Sequence, residues 1–389
     1  MTGTADLAAV DLSLVDHHVH GILTGELDVT AIEAGLMEST APPPPGTSAF
    51  DTQLGFAVRR WCAPVLDLET FVPPDEYVRR RLELGSTEVA TRFLAAAAVD
   101  VWLVDTGYQS DAVTTPDELV ALSGTPALEI VRLESVAERV IRSGVTADGY
   151  RDAIVAAVQA AAGLGAAPGA DGRAIGFKTV AAYRGGLALD PRRPARADVA
   201  TAAGRWLRDI GGGARARLED HVLIRHGIWA AVDTGLPLQF HAGFGDTDSR
   251  LARSDPALLH DFLLASQPTG TPIMLLHCYP YHRQAAALAN LFPHVYMDVG
   301  EALNHVGARS AAVLAEALEL TPFHKMLYSS DAFGLPELHY LGALGFRRDI
   351  AAVTGEFVTD RLWSAADASR VADMIGSANA RRVYKLGVS

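Results

Sequence analysis

Cysteine is nearly absent. Cys62 and Cys278 are the only two in 389 residues, and they stand far apart in no metal-like spacing. That excludes a disulfide framework and points to free thiols in a reducing compartment, with the cytoplasm as the default. Lysine is scarcer still for its class: it occurs at 178, 325 and 385, and arginine carries the rest of the positive charge. The formal net charge is −13, so the chain lacks the basic face that binding nucleic acid requires. The run Arg79-Arg80-Arg81 reads as a solvated helix face. No stretch of about 20 uninterrupted apolar residues is present, so no membrane span is expected. The first residues carry Asp6 and Asp11 and have no basic start followed by an apolar block, which does not read as a secretion signal.

What is present is a strand-and-helix beat. Apolar residues make up 49 % of the chain, enough for a large core. Short apolar runs without alternation fall at Leu12–His18, Val101–Asp105, Leu128–Leu133, Ala174–Val180, Pro237–His241, Ile273–His277, Val295–Val299 and Met326–Asp331. Such runs suit parallel strands buried on both faces. Helical stretches rich in Ala, Leu and Arg lie between them, such as Ala195–Asp209, Arg217–Asp233, Pro256–Ala265, Tyr281–Leu291, Ala308–Leu318 and Leu338–Thr354. Strands alternating with helices imply a parallel sheet, and eight of them imply an α/β fold of the (β/α)8 TIM-type barrel class. Residues 1–389 read as a single domain. About eighty residues separate the first two strands and include Pro42-Pro43-Pro44-Pro45-Gly46. They read as a helical insertion over about 25–95, with the proline run as an exposed loop. The Gly/Ala-rich segment 162–171 reads as a loop before the fourth strand, and Ala366–Leu386 as a closing helix.

The chemistry gathers at the carboxyl ends of these strands, the active face of such barrels. His18 and His20 close the first run, and side chains at i and i+2 of a strand share a face. Lys178 lies in the fourth run, His241 ends the fifth, His277 the sixth and Asp331 the eighth. One histidine ending a strand is ordinary; five strand ends bearing ligand-type residues are not. A lysine in an apolar strand must be paired, deprotonated or modified, because burying a lone ammonium is costly. Lys178 is then either a carbamate bridging two metals or an ammonium paired with Asp331 or a substrate carboxylate.

The chain resembles the amidohydrolase superfamily, and within it the amidohydrolase-2 (amidohydrolase-related) branch and the group also found fused to glutamine-synthetase-like domains in FluG-type proteins. The resemblance rests on Val15-Asp16-His17-His18-Val19-His20, on Gly176-Phe177-Lys178 with Ala182-Tyr183-Arg184-Gly185-Gly186-Leu187, and on Phe240-His241. It continues through His277-Cys278-Tyr279-Pro280-Tyr281, Tyr296-Met297-Asp298-Val299-Gly300, Ser329-Ser330-Asp331-Ala332-Phe333-Gly334-Leu335-Pro336-Glu337 and Asn379-Ala380-Arg381-Arg382-Val383-Tyr384. It implies His18, His20, Lys178, His241, His277 and Asp331 as metal ligands for one or two divalent ions. Nitrogen and carboxylate donors suit zinc, with manganese or iron as alternatives. It implies hydrolysis of an amide-type C–N bond by a metal-activated hydroxide, with Asp331 as proton shuttle and His277 as the second catalytic group. With one ion only, His277 would hold the substrate oxygen.

Specificity is expected from the loops. Arg184 either grips a substrate carboxylate as a bidentate fork or faces solvent. Tyr281 and His282 follow the sixth strand, and Glu301, Asn304 and His305 the seventh; each can reach the pocket. Glu337, just past Pro336, either opens a helix or recognises a substrate amine. His260, His324 and His339 read as structural or surface residues. Two other functions fit the pattern: a single-metal decarboxylase, C–C hydrolase or hydratase of the same superfamily, and a non-catalytic metal-binding regulator. The expected partner is a small-molecule substrate, with neither nucleic acid nor membrane, and pairing of outer helices makes a homodimer the expected assembly.

Overall fold

Short apolar runs become strands with no exposed face. In the computed structural model, which describes residues 12–39, 41–109, 111–164 and 174–387, β1 (Val15–Val19), β2 (Val101–Asp105), β5 (Leu238–Ala242) and β6 (Ile273–His277) are buried at every position. With β3 (Ala127–Arg132), β4 (Gly176–Thr179) and β7 (Val295–Met297) they form one parallel sheet in chain order, β1 to β7. Parallel neighbours cannot be joined by tight turns, so helices carry each crossover and cover the outer face. The sheet curls: Val15, Leu103, Ile130, Met274 and Leu276, from four different strands, pack into one interior cluster with Leu327 and Tyr384. Residues 1–11, with Asp6 and Asp11, and residues 165–171 of the Gly/Ala-rich loop lie outside the described residues.

The eighth strand expected at Met326–Asp331 does not form. The segment instead runs between the two edge strands. Leu327 N–H donates to Met297 O at 3.0 Å, His17 N–H to Tyr328 O at 3.1 Å, and Asp331 N–H to His18 O at 3.1 Å. The buried Asp16 carboxylate interrupts the pairing. It accepts the Ser330 N–H at 3.1 Å and the Ser330 hydroxyl at 2.5 Å, and Asp331 then turns left-handed at φ +50°. A polar side chain has outcompeted the ladder for the same backbone donor.

Between β1 and β2 the chain forms several helices, among them Val29–Ala34, Gln53–Ala57, Pro74–Leu84 and Ser86–Ala97. Asp28 starts the first by accepting Ala31 N–H at 2.8 Å, and Pro74 opens the third, where a missing N–H costs nothing. Gly85, at φ +79°, is the single residue separating the last two. The prolines at 42–45 lie in irregular, largely exposed chain. The long helix Pro336–Thr359 packs against Ser86–Ala97 and joins the region to the sheet's outer layer. Among the described residues no helix is long and apolar enough to cross a membrane.

Candidate metal centre

β1 ends in an irregularity. Its register against β2 shifts between Asp16 and Val19, and His20 emerges beside His18 with ring centroids 5.1 Å apart, edge to face. Both imidazoles turn to one carboxylate: His18 Nε2 lies 3.1 Å and His20 Nε2 3.5 Å from Asp331 Oδ1. From β6, His277 Nε2 is 3.3 Å from Asp331 Oδ2, and the His241 ring of β5 stands 4.8 Å from that of His277. From β4, Lys178 Nζ is 3.1 Å from His18 Nε2. Six residues from five separate places in the chain thus meet at the carboxyl end of the sheet.

The outer contacts settle which nitrogens carry protons. Gln239 donates through Nε2 to the His17 carbonyl at 2.7 Å, which fixes its amide and turns Oε1 to His18 Nδ1 at 2.8 Å. His18 therefore holds its proton on Nδ1 and presents a lone pair on Nε2. His20 does the same, because Nδ1 faces the Asp105 carbonyl at 3.2 Å. Such outer acceptors are how metal-binding imidazoles are oriented. Two lone pairs then face a carboxylate at close range, an arrangement that needs a cation beside it, either the Lys178 ammonium 3.1 Å from His18 Nε2 or a metal ion in its place.

Charge states agree. Burial, reinforced by Lys178, lowers His18 to about 3, and burial lowers His277 to about 4. Burial and the neighbouring His277 hold His241 well below its usual value. Burial alone would raise Asp331, but His277, His18 and His20 outweigh it and keep the carboxyl well below the usual range. These are the protonation states a metal requires: neutral imidazoles and an ionised carboxylate. Burial also lowers Lys178 to about 8, against the pull of Asp331 and Asp105.

Several buried atoms have no hydrogen-bond partner: His241 Nε2, both ring nitrogens of His277 and Asp331 Oδ1. Orphaned groups of this kind call for a ligand. Three of the ligand atoms, from His18, His277 and Asp331, lie within 4.8 Å of one another. His18, His20 and Asp105 form a second such group, but Arg132 grips both Asp105 oxygens, its Nε at 3.3 and 3.1 Å and its Nη2 at 2.5 Å. The donor set around Asp331 fits a divalent ion, and the backbone is bent to build it. His277, Cys278 and Asp331 all have positive φ, at 66°, 61° and 50°, strain of about 1–3 kcal/mol each that the fold must offset. Asp298 holds the bend, accepting His277 N–H at 2.8 Å and facing His17 Nε2 at 2.9 Å.

The metal-type residues open onto a cleft of about 330 Å³ that is also lined by Tyr183, Arg184, Arg217, Asp246 and Glu301. Arg184 stands on its wall, 3.5 Å from Glu138, with Nε and Nη1 unpartnered. Tyr281 and Glu337 are not on it. Tyr281 precedes the helix His282–Leu291, and Glu337 is buried beneath the insertion, accepting from Arg81 Nε at 2.8 Å and Tyr77 OH at 3.0 Å. Glu337 opens its helix, and the amine it meets is an internal guanidinium. His282 faces Glu316 at 2.7 Å and stacks on Tyr279. His339 is buried against Trp102, while His260 and His324 are exposed. Sequence reasoning missed Gln239, Tyr183, whose hydroxyl is 3.3 Å from His241 Nδ1, and Glu38. A glutamine two residues before His241 in an apolar strand was the one available clue.

The amidohydrolase family profile matches residues 132–386. Protein fluG of Emericella nidulans is 32 % identical over 232 residues, 56 % of this chain and 26 % of that protein, so the chain spans about a quarter of that relative. A solved structure assigned as a metal-dependent hydrolase from Lactobacillus casei superposes with a TM-score of 0.83 at 26 % identity, covering 98 % of each chain. The uronate isomerase of Thermotoga maritima shares the fold at a TM-score of 0.63 and 13 % identity, over 99 % of this chain and 98 % of its own.

Proposed function

The chain belongs to the amidohydrolase family, and from that premise we propose that it is a metal-dependent hydrolase cleaving an amide-type C–N bond of a small molecule. One observation carries the reading: the lone pairs of His18 and His20 converge with His277 on the ionised, under-bonded Asp331. His18, His20, His241, His277 and Asp331 are the residues that would hold the ion, with Lys178 beside them. Zinc is the favoured ion, with manganese or iron as alternatives. Bound there, the ion supplies Lewis-acid polarisation of a carbonyl and acidification of a water.

The chain's own groups do the rest. Asp331 stays ionised and is the base; Oδ1, free of donors, accepts a proton from the attacking water and returns it to the leaving nitrogen. Where a single ion leaves His277 uncoordinated, its neutral ring, held on a left-handed turn, positions the substrate oxygen instead. Arg184 offers its unpartnered Nε and Nη1 to an anionic part of the substrate. The segment 326–331, bonded to β7 and to β1, supports an eighth position that completes a barrel in a single domain. The two buried free thiols support a cytoplasmic setting.

A second reading is favoured by Lys178. Burial lowers it only to about 8, leaving it largely an ammonium at neutral pH. That supports one ion rather than a carbamate-bridged pair, and with it the single-metal decarboxylase, C–C hydrolase or hydratase chemistries. The test is a panel of N-acyl amines and N-acyl amino acids assayed for amine release, with metal content measured on the same samples. Release that requires the ion and is abolished in Asp331→Asn with metal retained supports the proposal. Carbon dioxide release or hydration without amine release replaces it with the second reading.

A further inference from the structure

A buried carboxyl with an idle oxygen stands at the start of the helix Gly300–Val306. Glu301 is 5 % exposed, and its Oε2 has no hydrogen-bond partner. Glu38 of the insertion and His305 of the same helix reach it: one ligand atom of each lies within 4.8 Å of the others, and His305 Nε2 is 3.3 Å from Glu38 Oε1. Asp246 lines the same space. Of the cleft's arginines, Arg132 pairs with Asp105 and Arg217 with Asp248, Arg184 stands beside Glu138, and Arg215 lines the cleft as well. Two carboxyl groups thus meet one imidazole, with Asp246 on the same wall. Burial, then the nearby Glu38 and Asp331, outweigh the pull of Lys178 and push the Glu301 carboxyl well above its usual range.

The walls indicate which cation. Tyr108 and Phe333, ring centroids 4.8 Å apart and edge to face, stand where this space of about 320 Å³ joins the cleft. Leu23, Ala34, Met37 and Leu338 line its far side. Aromatic and aliphatic walls suit an organic cation with carbon to bury, and give a hydrated metal ion nothing to bind. We propose that Glu301, with Glu38 and His305, binds a primary ammonium group of the substrate, opposite the end where Arg184 takes its anionic group. The substrate class is then an amide bearing an amine on one side of the scissile bond and a carboxylate on the other. The orientation rests on the hydrolase reading; the ammonium subsite itself does not need turnover.

Calorimetric binding of n-butylammonium, compared with n-butanol, tests it on metal-loaded protein. The ammonium should bind wild type at least about tenfold more tightly than the alcohol, and lose at least about tenfold in Glu301→Gln. Equal binding of ammonium and alcohol, or undiminished binding by Glu301→Gln, overturns the subsite. So does uptake of a further divalent ion that Glu301→Gln abolishes. Should Glu301→Gln fail to fold, Glu38→Gln gives the same readout. Failure of every amide to be cleaved while the ammonium binds would remove the hydrolase and leave the subsite standing.

Discussion

Lys178 Nζ lies 3.1 Å from His18 Nε2, on the lone pair that a metal ion would use. An ammonium there competes with the ion, and a neutral amine does not. His18 and His277, lowered to about 3 and about 4, have no proton left to lose near neutral pH. Lys178, lowered to about 8, does. Metal affinity should therefore rise with pH up to about 8 and level off above it, because the competing proton has gone. Lys178→Met should flatten that rise. Chelator competition from about pH 6.5 to about pH 9 measures it, and an equal slope in the variant would show that Lys178 does not compete.

Gln239 sets the tautomer of His18 from behind. Its Nε2 is committed to the His17 carbonyl and to Tyr384 OH at 2.8 Å, so its Oε1 can only accept from His18. Gln239→Leu removes that acceptor and leaves the imidazole free to place its proton on Nε2, where the metal must bind. The expected loss of metal affinity is about 10–100-fold, with the melting temperature little changed because a buried apolar replacement of similar size packs in its place. Metal titration of refolded apoprotein reads it. Unchanged affinity would mean that Lys178 and Asp331 fix the ring unaided.

How much of this was legible beforehand depended on where each residue's environment is set. β5 and β6 could be read within a residue because strands buried on both faces need unbroken apolar runs, and His241 and His277 stand out at their ends. Met326–Asp331 reads equally well as a strand and is not one, since Asp16, more than 300 residues away, captures Ser330. Glu337 lies six residues beyond Asp331, close enough to suggest the pocket. Pro336 starts a helix there, and the carboxylate turns to Arg81 instead. Glu38 was invisible because the path of the insertion follows from caps and packing rather than from any periodic pattern.

The Arg81–Glu337 pair joins the insertion to the long helix at 2.8 Å, with both side chains almost wholly buried. Breaking one partner strands the other. Glu337→Ala should destabilise the fold by roughly 3–5 kcal/mol, whereas Arg81→Met with Glu337→Leu together should cost less than either single change. Denaturant unfolding of Glu337→Ala, of Arg81→Met and Glu337→Leu singly, and of the double variant checks this. A double variant as unstable as the sum of the singles would show two independent contributions.

His294 provides a pH dependence remote from the metal centre. Burial, aided by Lys325, lowers it from 6.5 to about 4, and its Nε2 faces the Ser266 hydroxyl at 3.2 Å. The folded protein holds the ring neutral, while the unfolded chain protonates it below 6.5. Its contribution to stability is complete above 6.5 and is lost as the pH falls towards about 4, because unfolding then takes up a proton. His294→Phe cannot titrate, and Ser266 keeps a bond to Leu263 O at 3.2 Å. Other groups make the absolute melting curve depend on pH, so the difference between variant and wild type is the quantity to follow. Relative to wild type, the variant's melting temperature should rise steadily as the pH is lowered from about 7.5 to about 5. A constant difference would mean that His294 stays charged, or stays solvated, in the folded state.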